Sequence, residues 1–443
     1  MKFAIASVEG VSLSWQKRLL DEGHEVLVYH VPHWENGKSL DSPQKLVGEG
    51  IVPLESNYNK WRLWGRGGIF LFDSSGKGDL AETIRNSGEK VIGAGNFCDR
   101  LESDRSYGLR IAASVGIQSP DTFDFSNIHD AIEFLKSKRG TGKYFFKANK
   151  YLESGATYSE SSVYLRDYLQ NYIIPHYGNR IPCIIQKGMD GFALSTSRWW
   201  NGNSFVGPYE GTAERKKFLV GDIGGSTGCS FNLVWFYLDD EPTIVKALHF
   251  DKLEEIWRKE KAPPGIYDIN ALLSKEDGKP YFLEWTPRMG YDAAPTEQRG
   301  ITDLGKFLEC IATGNGDADK YFNRNKIYGG IRLTIGPYPH EKGIEEITRK
   351  KLLGIPIRGE DGLWKDFFVA YGVKKDASGY SSADPSGFIG IVCNSGNNCN
   401  LFDGSYSFIK NKLHIPNVQY RNDAKESIKE DLATIASLGY ETR

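Results

Sequence analysis

Four short apolar segments with helical spacing between them constrain the fold more than any other feature. KFAIAS, HEVLVYHV, GGIFLFD and KVIGAG read as strands, and apolar residues recur at helical intervals from Leu13 to Leu20 and from Leu80 to Arg85. Strands and helices alternating at this length predict a parallel α/β sheet over residues 1–95. The first loop, VEGVS, holds one glycine and lacks G-x-G-x-x-G, so the pattern does not support a dinucleotide site there.

At 443 residues the chain is too long for one compact core, and two or three domains are expected. After residue 96 the texture changes. LESDRSYGLRIAASVGI reads as one helix opened by acidic residues and ended by Gly116, and KYFFKANKYLESGATY as a strand running into a small-residue loop. CIIQKGMDGFALSTSRWW reads as two strands joined through Gly188–Gly191, and DGKPYFLEWTPRMG closes a hairpin. Residues 311–443 alternate short strands with turns and end in an amphipathic helix, NDAKESIKEDLATIASL.

Composition excludes several classes. A formal net charge of −2 is not the basic balance that non-specific nucleic-acid binding needs, although it leaves room for a local basic groove. No run approaches 18 apolar residues and no signal segment opens the chain, so a cytoplasmic protein without a membrane span is expected. The six cysteines lack disulfide-framework spacing; Cys393 and Cys399 stand close but without a second pair or nearby histidines, and free thiols are the expectation.

Transfer of a phosphoryl group to a carboxylate needs cations for the phosphates, a cover that excludes water, and carboxylates for a divalent metal. No Walker loop is present, but an ordered series of candidates is. Arg105 sits near a helix start and Lys147 ends an apolar strand. The small-residue loop Glu153, Ser154, Gly155, Ala156, Thr157 follows, where backbone amides can approach a phosphate closely. IIQKGMDG is an apolar strand breaking into a bend, and Glu284 ends the strand YFLE four residues before Arg288. Singly, each has an ordinary reading: a solvated lysine, a plain loop, a surface ion pair. Trp199, Trp200 and Tyr209 suit base stacking, or, in a chain this rich in aromatics, buried packing.

Taken together these motifs resemble the ATP-grasp superfamily and, within it, the phosphoribosylamine–glycine ligase family, from roughly residue 90 to 295. The resemblance implies an α/β chain: an N-terminal parallel domain over 1–95, a two-lobed α+β ATP-grasp domain over 96–310 with a lid lobe near 120–190, and a small β-rich domain over 311–443. Arg105 takes the place of the family's first phosphate-binding lysine, and YFFKA matches the strand carrying the second, Lys147. IIQKGMDG matches the hinge, so Gln186, Lys187 and Met189 would meet adenine and Asp190 the ribose. Ser154 and Gly155 fall in the ATP cover. ERKKFLVGDIGGSTG is similar to the family's H-K-R…G-D-T-G-P-N-T-G-G loop, which places Arg215, Lys216, Lys217, Asp222, Gly224 and Thr227 at the substrate. LEWTPRMG resembles L-E-F-N-x-R-x-G, giving Glu284 as a magnesium ligand and Arg288 as the cation of the transition state. Lys147 and Asp222 join Arg288 as catalytic candidates.

The departures lie at defined points. Thr286 stands at the metal asparagine, Gln186 at the hinge glutamate and Ala193 at the ribose glutamate. Asp268 supplies a second metal carboxylate or is a strand-end aspartate. The N-terminal G-G-R-E-H segment is replaced by VEGVSLSW, and P-N-T-G-G-M-G becomes GSTGCS from Gly225 to Ser230. The resemblance therefore implies an ATP- and Mg2+-dependent (or Mn2+-dependent) carboxylate–amine ligase acting on small molecules. Its acid would be an amino acid such as glycine and its acceptor something other than phosphoribosylamine, such as a modified nucleotide. Monomer and homodimer are both compatible. The alternative is an impaired homologue that binds nucleotide as a regulatory or structural module.

Overall fold

The computed structural model describes residues 1–8, 10–35, 38–40, 45–138, 142–149, 158–339, 350–359 and 368–442. At the N-terminus Glu25–His30, Lys2–Ser7, Ile69–Phe72 and Lys90–Ile92 form a sheet in that order, all parallel. Its first strand is buried on both faces. Phe3 and Ile5 join one hydrophobic cluster with Leu13 and Leu19 of the Leu13–Asp21 helix, while Ala4 and Ala6 join another with Phe70, Phe72 and Ile84. This is what parallel strands covered by helices require.

The helix expected over 101–117 is two, Asn96–Ser103 and Arg105–Ser114. Asp104 breaks it: its side chain accepts from Tyr107 N at 2.9 Å, so the residue caps a new helix instead of continuing the old one. Arg105 thereby becomes the first residue of the second helix.

The lid lobe is an antiparallel sheet in the order Thr122–Phe125, Cys183–Lys187, Lys143–Ala148, Tyr158–Ser161. The helices Ile128–Ser137 and Ser162–Tyr168 pack with it around a core of its own, in which Ile132, Leu135, Phe146, Leu165 and Ile185 are buried. Gly188–Asp190 then crosses to the Gly191–Trp200 strand, which belongs to a different sheet. That large sheet runs Pro280–Thr286, Gly265–Ser274, Gly191–Trp200, Phe205–Leu219, Ile223–Phe236, Ile327–Ile335, Phe388–Gly396, Phe368–Ala370. It therefore continues past residue 311, and the β-rich C-terminal segment extends the central sheet.

The GDIGGSTG stretch, expected as a loop, is mostly strand. Gly221 and Asp222 turn at φ +78° and +56°, and from Ile223 the chain pairs back on Phe205–Leu219, with register shifts between Arg215 and Leu219. The terminal helix Ala424–Ser437 is docked as expected, burying Ala424, Ile428, Asp431 and Ile435 at helical spacing.

Trp199 and Trp200 are core residues. Trp200 is fully buried, packs edge-on against Phe205 and donates its indole N–H to Ala262 O at 3.0 Å. Trp199 packs edge-on against Phe307. All six cysteines are unpaired. Among the described residues no helix is long and apolar enough to cross a membrane. Trp200→Ala is expected to cost about 3–5 kcal/mol through the cavity it leaves. Urea unfolding checks this; a loss below about 1 kcal/mol would show that the sheet end does not depend on that ring.

Candidate active site

Strand periodicity builds the site. Alternate residues share one face, and four neighbouring strands place polar side chains on the same one. Ser197 lies in register with both Glu210 and Asp268, Ser195 with both Thr212 and Asn270, and Asp268 and Asn270 oppose Thr286 and Glu284. Two further steps along the Phe205–Leu219 strand add Glu214 and Lys216. The segment from Arg288 to Glu297 closes over this face, leaving a cavity of about 270 Å³.

At one end cations converge from three parts of the chain. Arg105 Nη1 meets Glu284 Oε2 at 2.6 Å. Lys147, buried on the lid-lobe strand Lys143–Ala148, donates from Nζ to Leu283 O at 3.2 Å. Lys216 pairs with Glu214 at 3.0 Å. Burial would push the Glu284 carboxyl up, but Arg105, Lys147 and Lys216 outweigh it and hold the group at about 2. Burial pulls the Lys147 ammonium down to about 8, with Arg105 and Lys216 adding to the effect and Glu284 opposing it. Glu214 and Glu284 raise Lys216 above the ordinary lysine range. Arg288 is oriented by Glu102, at 3.2 and 3.1 Å from Nε and Nη2, and lies 4.2 Å from the centroid of the Tyr291 ring.

Beside Glu284 lies a set of oxygen donors. Burial pushes the Asp268 carboxyl up to about 7. Its Oδ2 accepts from Thr286 Oγ1 at 2.5 Å and from Asn270 Nδ2 at 3.0 Å, while Oδ1 is buried with no hydrogen-bond partner among the described residues. An orphaned buried carboxylate oxygen among hard donors fits Mg2+ or Mn2+. Asp268, Glu284 and Thr286 would hold the ion. Asn270 also faces this set and was missed by sequence reasoning: its Nδ2 donates to Thr286 Oγ1 at 3.0 Å as well as to Asp268, while its Oδ1 accepts from Ser195 Oγ at 2.8 Å. Its signal was the alternation in YDIN, which puts it on the same face as Asp268.

Other sequence candidates lie elsewhere. Asp222 is held by Arg215 and, at 2.6 Å, by Arg421, while Arg215 Nε reaches Asp431 of the terminal helix at 2.9 Å. Arg215 and Asp222 therefore brace the hairpin against that helix, off the cavity wall. Lys217 and Gly224 meet each other across the hairpin at 3.4 Å, whereas Thr227 lines the cavity and donates to Lys216 O at 2.8 Å. Lys187, Met189 and Asp190 line a second cleft of about 520 Å³ where the lid lobe meets the central sheet. Gln186 is buried next to them and donates to Thr122 Oγ1 at 3.0 Å. Ser154 and Gly155 fall outside the described residues.

Sequence reasoning also missed Glu210 and Glu297, both buried and both on the cavity wall, and the buried Asp292–Arg332 pair at its edge. Nothing in the motifs marks them, since they come together only in the folded sheet. It missed Asp73 as well. This buried carboxylate fills the turn before Leu13–Asp21, accepting from Ser7 Oγ at 2.6 Å, Ser12 Oγ at 2.7 Å, Val8 N at 2.9 Å and Ser12 N at 3.2 Å.

No protein-family model matches the chain. Phosphoribosylamine–glycine ligase of Helicobacter pylori (strain ATCC 700392 / 26695) is 23% identical over 249 residues, 54% of this chain and 55% of the relative. The chain thus spans about half the length of the curated relatives it matches. The crystal structure of phosphoribosylamine–glycine ligase from Thermotoga maritima matches with a TM-score of 0.72 at 18% identity, covering 96% of this chain and 100% of that one. L-amino acid ligase from Bacillus licheniformis matches at 0.55 with 13% identity, covering 95% and 99%. With cations from both lobes meeting over one carboxylate-bearing sheet, the fold is that of an ATP-grasp protein. In sequence the chain is similar, over about half of its length, to phosphoribosylamine–glycine ligases.

The buried lysine gives a direct check. In reductively [13C]methylated protein the Lys147 signal is expected to titrate near pH 8, below the ordinary lysine value, and to move lower still in Glu284→Gln, which removes the charge that opposes its depression. A Lys147 signal titrating with the bulk would show that the two lobes do not close around it in solution.

Proposed function

We propose that this chain is an ATP-dependent carboxylate–amine ligase working through an acyl phosphate on small-molecule substrates. The observation that carries this reading is the meeting of Arg105, Lys147 and Lys216 around Glu284, next to the unsatisfied Asp268 oxygen. Cations positioned in a partly closed cleft stabilise phosphoryl transfer mainly by placement and charge. Arg105, Lys147 and the 150–157 segment with Ser154 and Gly155 would hold the phosphates. The cleft at Lys187, Met189 and Asp190 would take the adenosine. Asp268, Glu284 and Thr286 would hold Mg2+, which when bound would neutralise phosphate charge.

In the first step a carboxylate oxygen of the acid attacks the γ-phosphorus and the bond to ADP breaks. Arg288, held rigid by Glu102, offers its guanidinium to the charge that develops. In the second step the amine nitrogen attacks the acyl carbon, the C–O bond to phosphate breaks, and the nitrogen gives up a proton as inorganic phosphate leaves. Lys216 and Thr227 face the space where these groups would meet.

An amino acid is the acid most compatible with the likeness to phosphoribosylamine–glycine ligase and L-amino acid ligase. The acceptor reads as something other than phosphoribosylamine. The turn before the first helix, a natural place for a phosphate, is taken up by Asp73, and a buried carboxylate bound by four donors repels an incoming anion. Loss of the metal asparagine and of two glutamates favours the second reading, a nucleotide-binding module without turnover. Asp268 weighs against it, since its carboxyl supplies oxygen where Thr286 is the weaker donor.

Magnesium-dependent ADP release across a panel of amino acids and amines tests the two readings. Turnover with at least one pair is expected, falling roughly 100-fold or more in Lys147→Ala and in Glu284→Gln. Tight ATP binding with no turnover for any pair would favour the module, and unchanged rates in both variants would refute the site assignment.

A further inference from the structure

The charges around the cavity do not balance. Glu284 is countered by Arg105, Glu214 by Lys216, Asp292 by Arg332, and Arg288 by Glu102. Glu210 and Glu297 line the same cavity, are 5% and 1% exposed, and form no ion pair among the described residues. They hydrogen-bond to each other, and their other partners are neutral: Thr212 Oγ1 donates to Glu210 at 3.3 Å and the Trp199 indole N–H to Glu297 at 3.0 Å. Two buried carboxyls without a cation are costly, and the cost is met by a proton held between them or by a cation brought to them. Burial accordingly pushes both above the usual carboxylate range, and Glu297 pushes Glu210 further. A hydrophobic pair of similar volume would suit this part of the core better. The two carboxyls make sense as a receptor facing the cavity.

Resting on the ligase reading of this cavity, we propose that Glu210 and Glu297 bind the protonated amine of the amino-acid substrate. The acid activated by this protein is then a zwitterion, held by its ammonium at one end while its carboxylate reaches the phosphate at the other. The register supports this head-to-tail placement. Ser197 separates Glu210 from Asp268 by one strand on each side, so the two backbones stand about 10 Å apart and both residues line the cavity. One proton retained by the pair leaves a single negative charge, which matches a primary ammonium better than a divalent cation. Trp199 fixes the orientation of Glu297 and is a positioning residue.

Trp199 also supplies the readout. Its indole 15N–H resonance, assigned by its loss in Trp199→Phe, reports on the Glu297 carboxyl in the full-length protein with ADP and Mg2+ present. Glycine, alanine and β-alanine are expected to shift it saturably, while acetate and propionate, which lack the amine, leave it unmoved. Glu210→Gln and Glu297→Gln should each weaken the amino acids by about 10- to 100-fold, with ADP affinity unchanged. Plain acids binding as tightly as amino acids would overturn the inference, as would Mg2+ alone shifting the resonance, no amino acid shifting it, or unchanged affinities in both variants. Catalysis sustained by a plain acid would overturn it too, while leaving the ligase reading intact.

Discussion

The carboxylate of Glu284 lies in the field of three cations from three stretches of chain. Arg105 comes from a helix start, Lys147 from the lid lobe and Lys216 from the long hairpin. In a partly buried site these charges repel one another, and Glu284, with Glu214 beside Lys216, offsets that repulsion. Glu284 supplies that anion and remains ionised far below the usual carboxylate range because three positive fields act on it. In the proposed reaction a polyphosphate, with more negative charge than one carboxylate, would compete for the same cations and free Glu284 toward a metal.

The second constraint is the pleat of the sheet. Period-two alternation carries Ser195, Ser197, Glu210, Thr212, Asp268 and Asn270 onto one face, and hydrogen-bonded register aligns them across strands. A polar face buried under the Arg288–Glu297 segment works against stability. Asp268, Glu210 and Glu297 all have folded-state values above those of the unfolded chain. The support they lend to folding is therefore full in acid, below the ordinary carboxylate value, and is withdrawn as pH rises through their raised values, about 7 for Asp268 and Glu297. A binding face that is uncomfortable when empty is the usual stability cost of a prepared site.

Some of this was legible in the sequence and some was not, for physical reasons. The N-terminal parallel sheet was, because apolar runs and helical spacing are local signals. So were Arg105, Lys147, Glu284 and Arg288, which stand at strand and helix ends inside recognisable motifs. The split at Asp104 was hidden because a capping aspartate and a helix-interior aspartate look alike until the Tyr107 amide is placed. Asp222 and Arg215 carry the most specific motif resemblance, yet they grip Arg421 and Asp431, residues some 200 positions away that no local pattern connects to them. Asn270, Glu210 and Glu297 were invisible for a related reason: each is unremarkable on its own strand or helix and acquires meaning only from cross-strand register and burial.

In the proposed reaction the cations around Glu284 direct phosphoryl transfer onto a carboxylate. Turnover of an 18O-labelled carboxylic acid with ATP, followed by mass analysis of the inorganic phosphate, tests it most directly. The account predicts one 18O atom transferred from acid to phosphate per product formed, because the acyl phosphate's bridging oxygen originates in the acid and leaves with phosphorus. Product formed with unlabelled phosphate would contradict it, showing that the carboxylate is never phosphorylated.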